Sequence, residues 1–490
     1  MSNEPHREAP NESSEANSTQ NPSSEAKMSY NLSKNEGNGK EFIDMDVDTA
    51  PYTQDSEGYD ISRPGKVLAG ELMENTNILK SAFHVFKANV GTGVFMLPNF
   101  YQDAGFAASI FLALMIGTIV IDCTQLLLQT KLKINRTDIT TYSTIARYVF
   151  GPPMAWFLFC ALCLTQFGFC LMYSQLFSVT MDELFAFKNS GYLWPTLMLI
   201  IGFPMTCFSH NLSMLSAASV LASIGVTYAL VCCITRSGIV IHNNRSRVHP
   251  TCNAFGRNIP IGWFNNLANN MMVLEGIGIV LPVHAACTQK RLVPKMTVVV
   301  LGIVIAVYLL IGIMGYGAFG NDLTTSLVTG MDHDAWGFSI RIFFMVNIVF
   351  TYPVQFMSAM QLIDQVVKST PRSRLGLGLR FVINLAIWVL SMSLGGKAVN
   401  IVVAFIGAIP STWIVMIIPS MMRTQVEYAV EHSNEDRTTL KYWKVALLGV
   451  PGRRFTWLRI RCIAYILLAF LIMVIGTYSI FTTEIFTSDS

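Results

Sequence analysis

The apolar residues of this chain are gathered into long blocks separated by short polar connectors, not alternated. From Ile78 onward eleven blocks run over roughly 78–102, 105–129, 153–182, 192–209, 214–241, 265–287, 294–317, 336–367, 376–395, 399–422 and 459–483. A helix rising 1.5 Å per residue crosses the hydrocarbon core in about 20 residues, so blocks of this length predict membrane-spanning helices. Residues 1–77 are rich in Asn, Ser and Glu and hold no sustained apolar run. Such a stretch cannot bury enough surface to offset its own ordering, so it is expected to be a disordered tail. It lacks the charged start and apolar core of a signal peptide, which leaves the first helix to insert as its own signal. The expected organisation is therefore a tail at 1–77, an all-α membrane domain at 78–483 and a short terminus at 484–490.

Composition agrees with the pattern. Of 490 residues, 52% are hydrophobic and 13% charged, with a mean hydropathy of +0.45. A soluble domain could not hydrate so apolar a surface. The net charge of +3 hides an asymmetry: residues 1–77 carry 6 Lys/Arg against 15 Asp/Glu, and the remainder 28 against 16. The basic residues sit in short loops between spans, which argues against a nucleic-acid partner and sets orientation. Loops 130–152, 288–295, 368–375 and 423–458 carry Lys131, Lys133, Arg136, Arg147, Lys290, Arg291, Lys295, Lys368, Arg372, Arg374, Arg423, Lys441, Lys444, Arg453 and Arg454. With eleven spans all four fall on one side, predicting a cytosolic N-terminus and an extracytosolic C-terminus. Loop 242–264 dissents with Arg245, Arg247 and Arg257, but it also holds the sequon Asn244-Arg245-Ser246, meaningful only outside, so Asn244 is the candidate glycosylation site. Sequons at Asn11, Asn17, Asn31, Asn135 and Asn211 fall inside on this topology. Nearly all of the 10 cysteines lie within spans. Cys160 and Cys163 form a CxxC without a partner pair or a suitably placed His, which reads as small apolar core residues, not a metal or redox site.

Two spans are interrupted. The first reads His84-Val-Phe-Lys87-Ala-Asn89-Val-Gly91-Thr92-Gly93 and reaches Pro98; the sixth reads Leu274-Glu275-Gly276-Ile277-Gly278 and reaches Pro282. Glycine weakens a helix and proline removes a donor, and in lipid such a break is tolerated only where freed backbone groups meet protein, water or a ligand. The breaks open two successive five-helix sets, the arrangement that marks a 5+5 inverted-repeat transporter and its binding site. Amides at a half-helix N-terminus suit a carboxylate and freed carbonyls suit an ammonium, so together they suit an amino acid zwitterion. A glycine-rich face for close helix packing is the alternative. The candidate substrate-binding residues are Asn89, Gly91, Thr92, Gly93, Glu275, Gly276 and Gly278, with Gln166 and Tyr173 of span three and Thr351 and Tyr352 of span eight. Ionisable residues inside a membrane are costly and functional by default. His84 lies two turns before Gly91 on the same helix face and, with an unperturbed pKa near 6.5, suits coupling to a proton gradient; a hydrogen-bonded core histidine is the alternative. Glu275 could bind an ammonium, carry a proton or cap the broken helix. Lys87 could be structural or snorkel. Asp122 and Asp364 fall near span ends and read as interfacial.

At these residues the chain resembles the proton-coupled amino acid transporters of the amino acid/auxin permease family. The stretch His84 to Ala104-Gly105 is similar to that family's first helix, Thr165-Gln166-Phe167-Gly168-Phe169-Cys170 to its third, and Phe208 to Ile224 to its fourth loop and fifth helix. Phe264 to Pro282 resembles the sixth, Gly312 to Gly320 the end of the seventh, Phe350 to Phe356 the eighth, and Phe405-Ile406-Gly407 with Ile418-Pro419 the tenth. The likeness covers about residues 78–483 and not the tail. It implies the LeuT-like fold with discontinuous helices 1 and 6, and sodium-independent symport of small neutral amino acids with H⁺, the only coupling species and no cofactor or metal. It also implies that His84 acts in proton coupling. Two departures stand out. The family's Pro-x-Glu-Asn after the sixth-helix break is here Pro282-Val283-His284-Ala285, and of the paired extracellular cysteines common in the family only Cys252 is plainly outside, so no such disulfide is expected. Two other classes share the features: a sodium-coupled or exchanging carrier of the same fold, and a transport-deficient amino acid sensor. No span holds a convergent nucleophile, acid/base set or metal cluster, so an enzyme is not expected. The membrane could be the plasma membrane or that of a lysosome or vacuole; nothing in the sequence fixes the oligomeric state.

Overall fold

The computed structural model describes residues 76–135, 139–185, 191–208, 212–244, 248–256, 259–323, 325–394, 398–431 and 457–480. Within them every regular element is helical apart from one isolated bridge. In chain order these are α1 (Ile78–Asn89), a 3₁₀ turn (Thr92–Met96), α2 (Leu97–Ala104), α3 (Phe106–Ile134), α4 (Tyr142–Phe150), α5 (Pro152–Phe185), α6 (Leu193–Phe208) and α7 (Leu212–Asn243). Then follow α8 (Ile261–Val273), a 3₁₀ turn (Ile277–Ile279), α9 (Val280–Ala286), α10 (Val293–Phe319), α11 (Ala335–Val367), α12 (Arg374–Leu394) and α13 (Ala398–Ile406). Two π-helical stretches, Gly407–Ser411 and Trp413–Ile417, lead into α14 (Ile418–Glu431), and α15 (Trp457–Ser479) closes the described chain.

Among the described residues each apolar block coincides with helix, broken in the first and sixth. Nine stretches among the described residues are long and apolar enough to cross a membrane; α6 is shorter, and the first block is interrupted. Large apolar side chains such as Phe111, Ile200, Val299, Val382 and Val474 stand exposed around the bundle. A surface so rich in exposed apolar groups is matched to lipid, and the protein is a multi-pass membrane protein. The sixth and tenth spans are the most enclosed, with 78% of their central residues buried against 28% for the ninth and eleventh, so they form the centre of the bundle.

The two interruptions follow from their residues. Asn77 caps α1, its side chain accepting from the Ile78 N–H at 2.7 Å, and α1 stops at Val90, which is extended. Pro98 sits in the first turn of α2, where a missing N–H costs nothing. Gly105 ends α2 at φ +85°, and its α-carbon lies so close to the Phe255 backbone that a β-carbon has no room. The helix of the seventh block runs Val293–Phe319 after a 3₁₀ turn at Lys290–Leu292, and the sixth block starts at Ile261, not 265. Loop 130–152 is not a plain connector: it contains α4, opened by a reciprocal cap between Thr141 and Thr144. The tail boundary also moves. Thr76, counted with residues 1–77, belongs to the folded body: its N–H donates to the Ala286 carbonyl at 3.1 Å and its carbonyl accepts from the Thr288 N–H at 3.1 Å. The start of the first broken span is thereby joined to the end of the second. Asn77, the cap of α1, belongs to the body as well, while residues 1–75 and the 484–490 terminus lie outside the described residues.

Candidate functional site

Both interruptions face one cavity of about 690 Å³, within the range usual for small-molecule sites. At the first break, Asn89 ends α1 with its amide donating to the Val85 carbonyl at 2.8 Å, and the Thr92–Met96 turn starts immediately after Gly91. The first N–H groups of that turn have no partner within their own helix. At the second, α8 ends at Val273, and Glu275 turns toward the π-helical part of span ten, where its carboxylate accepts from the Ser411 hydroxyl. The Thr165 hydroxyl stands beside the same carboxylate. A π-helical bulge of this kind recurs at functional sites.

The breaks touch. A β-carbon on Gly276 would land on the Asn89 side-chain amide. Behind them, the buried hydroxyl of Tyr308 on α10 is hydrogen-bonded to the carbonyl of Asn89 and, at 2.9 Å, to that of Val273. The last carbonyls of the two broken helices are thus held by a single side chain.

The cavity wall gathers His84, Asn89, Gly91, Thr92, Gly93, Gln166, Tyr173, Glu275, Gly276, Gly278 and Thr351. The Tyr173 hydroxyl lies beside Thr92 and Gln355, bringing spans one, three and eight to one point. Thr351 donates to Asn347 at 3.1 Å. Two buried oxygens on this wall, Asn89 Oδ1 and Gln166 Oε1, have no hydrogen-bond partner among the described residues. Buried polar atoms left open around a cavity are positioned for a polar ligand. Gly91 and Gly278 have open space where a side chain would project, so the backbone itself meets the cavity there.

One candidate falls elsewhere. Tyr352 is buried off the cavity, and its hydroxyl donates to Asn384 at 2.7 Å, which in turn donates to Thr206 at 3.2 Å. It joins α6, α11 and α12; one residue from Thr351 on a helix turns the side chain by 100° and out of the site. Asn244 is exposed just beyond α7, although Ser246 of its sequon lies outside the described residues. His284 is buried on α9 away from the cavity wall. Asp364 is not merely interfacial: it pairs with the fully buried Arg380 at 2.6 Å. Asp122 accepts from Tyr465 at 2.9 Å and pairs with Arg461 at 3.2 Å. Cys252 donates to the Tyr316 carbonyl at 3.1 Å, and burial pushes its thiol pKa up.

Sequence reasoning missed three participants. Tyr308 gave no signal, being one aromatic in an apolar helix. Ser411 was announced only by the nearby Gly407 and Pro410. Lys87 was noted, but not its partner: the ammonium donates to the Ser219 carbonyl at 2.6 Å and to the Ser219 hydroxyl on α7.

The cavity is open at one end. It extends past Thr141 and Arg147 of α4, Trp156 of α5 and Val366 of α11, on the face bearing the basic loops. The opposite face is closed. Gln102 donates to the Leu323 carbonyl at 2.7 Å, Asn265 to Asp103 at 2.6 Å, and the Leu327 N–H to the Phe95 carbonyl at 2.7 Å. Arg236 pairs there with Asp332 and, at 2.9 Å, with Asp334.

Two interrupted helices facing one cavity within a multi-pass bundle are an arrangement found in membrane transporters. Residues 74–482 match the family described as transmembrane amino acid transporter protein, and the chain belongs to that family. It is 21% identical over 306 residues to vacuolar amino acid transporter 3 of Saccharomyces cerevisiae, covering 60% of this chain and 43% of that protein. It is 23% identical over 349 residues to amino acid transporter AVT3A of Arabidopsis thaliana, covering 67% of this chain and 79% of that one. The match thus spans less than half the length of the yeast relative. Among solved structures the fold is similar to Mhp1 in its inward-facing conformation, with a TM-score of 0.54, 13% identity, and coverage of 83% of this chain and 91% of that one. The fold is therefore LeuT-like.

Proposed function

We propose that the chain is a secondary active transporter that moves small neutral amino acids across a membrane by H⁺ symport with alternating access. The observation that carries the reading is the meeting of both helix interruptions at one cavity wall. Half-helix N-termini there offer N–H groups to a carboxylate, and the freed carbonyls and Glu275 offer acceptors to an ammonium. Eleven crossings in a 5+5 inverted repeat account for the positions of the breaks, with the N-terminus in the cytosol. On that topology the basic face is cytosolic, so the cavity is open inward and the hydrogen bonds around Gln102, Asn265 and Leu327 are the closed outer gate. His84 and Glu275, both on the wall, are the proton-coupling groups; the sites for substrate are the backbone of Gly91 to Gly93 and Glu275 to Gly278, with Asn89, Gln166, Tyr173 and Thr351. The vacuolar names of the yeast relatives favour a vacuolar or lysosomal membrane, whose acidic lumen would supply the driving proton.

The test is uptake of labelled neutral amino acids by the full chain reconstituted in vesicles, with an imposed pH gradient, in sodium and in choline. Uptake that follows the pH gradient in choline supports the proposal. Uptake that ignores the gradient and needs sodium overturns it, and binding without uptake would make the protein a sensor.

A further inference from the structure

Carbonyls at the C-terminal ends of interrupted helices are acceptors with no partner in their own helix, and in membrane carriers they serve as ligands for a coupling cation such as Na⁺. This chain has two such ends side by side. The last carbonyl of α1, on Asn89, and the last of α8, on Val273, converge from opposite halves of the molecule. What lies between them is the Tyr308 hydroxyl, hydrogen-bonded to both and fully enclosed. A phenol has one proton, so that proton is shared between the two carbonyls. It neutralises the convergence of oxygen dipoles as a small cation would, from a side chain that cannot leave.

A second attached donor lies nearby. One turn before the first break, the Ser219 carbonyl and hydroxyl oxygens turn toward α1, and the Lys87 ammonium takes both. The first interruption thus has an attached donor on two sides, Lys87 toward α7 and Tyr308 at the junction with α8.

We infer that Tyr308 stands in for a coupling cation: its hydroxyl fills the carbonyl junction between the two interrupted helices and so makes the carrier indifferent to sodium. Tyr308 is a positioning residue. It lies off the cavity wall and acts through Asn89 and Val273, which are on it. The inference rests on the amino acid transport reading above and adds the residue that decides which ion is not used.

Tyr308→Phe keeps the ring and removes the donor. Two buried carbonyls then face each other unpaired beside a gap the size of a hydroxyl, and a small ion or water becomes the only available partner. The assay is pH-driven uptake of a labelled neutral amino acid by reconstituted full chain, with Na⁺, Li⁺ or choline as the sole monovalent salt. The wild type is expected to give equal rates in all three. Tyr308→Phe is expected to fall by about fivefold or more in choline and to recover substantially in Na⁺. A structural role alone would lower the rate without making it ion-dependent. Equal rates for Tyr308→Phe in Na⁺ and choline would overturn the inference while leaving amino acid transport intact. Absence of any uptake by the wild type would instead overturn the transport reading. Should Tyr308→Phe not assemble, the wild type still decides: a rise in amino acid affinity or uptake on adding Na⁺ would show a vacant ion site and sink the inference.

Discussion

Gly276→Ala adds one carbon at the point where the two interruptions meet. The new β-carbon would coincide with the Asn89 side-chain amide, and that amide is not free to swing away because it donates to the Val85 carbonyl at 2.8 Å. Overpacking of a well-fitted interior costs about 1–3 kcal/mol, and displacing the amide would add a buried carbonyl left without its donor, again about 1–3 kcal/mol. If only the first of these is lost from the assembled site, uptake efficiency falls by about 5- to 150-fold. The perturbation has a built-in relief. Asn89→Ala removes the atoms that the new methyl group strikes, so Gly276→Ala with Asn89→Ala should transport no worse than Asn89→Ala alone. The two changes are then strongly non-additive, which a double-mutant cycle on vesicle uptake, normalised to incorporated protein, measures directly. Wild-type uptake by Gly276→Ala, or simple additivity in the double variant, would refute the claim that the breaks pack against one another here.

Other perturbations follow from the same geometry. A β-carbon on Gly93 meets Val273 at 3.4 Å, an ordinary contact, so Gly93→Ala should be tolerated while the γ-carbons of Gly93→Val block transport in protein that still reaches its membrane. His84→Ala should abolish the dependence of uptake on an imposed pH gradient while amino acid binding persists; an unchanged pH profile would remove His84 from coupling. Asp364→Ala leaves the Arg380 guanidinium buried without its partner, which costs about 3–5 kcal/mol and should appear as a lower Tm and yield of purified protein. On the gate opposite the open end, the Gly337 N–H, at 2.7 Å, and then the Arg236 guanidinium hold the Asp334 carboxyl below its ordinary pKa. A depressed folded pKa contributes stability above the unfolded value of about 3.9 and loses it as pH falls through the folded one. The Tm difference between wild type and Asp334→Ala should therefore hold constant from pH 7 to about pH 5 and shrink only below about pH 4; a difference already gone at pH 5 would contradict the capping geometry.

What the sequence disclosed depended on whether the information was local. Both interruptions were visible because Gly91-Thr92-Gly93 and Gly276-Ile277-Gly278 weaken the helix on which they lie, and a proline a few residues on sharpens the signal. The residues on the breaks themselves line the cavity. Thr351 and Tyr352 could not be separated, because only the rotation of α11 against its neighbours decides which of two adjacent polar residues faces inward. Tyr308, Ser411 and Ser219 were invisible for a further reason: each acquires its role from a partner between 35 and 219 positions away. Asp364 likewise looked like a span-end carboxylate until Arg380, 16 residues on, closed a buried pair with it.

The bridge at Thr76 has a mechanical meaning. Because that residue is bonded on both sides, to Ala286 and to Thr288, the polypeptide enters the bundle at the seam between the first and second interrupted spans. The bridge couples the start of the first interrupted span to the end of the second. A displacement of Thr76 is therefore felt at the start of α1 and the end of α9 together.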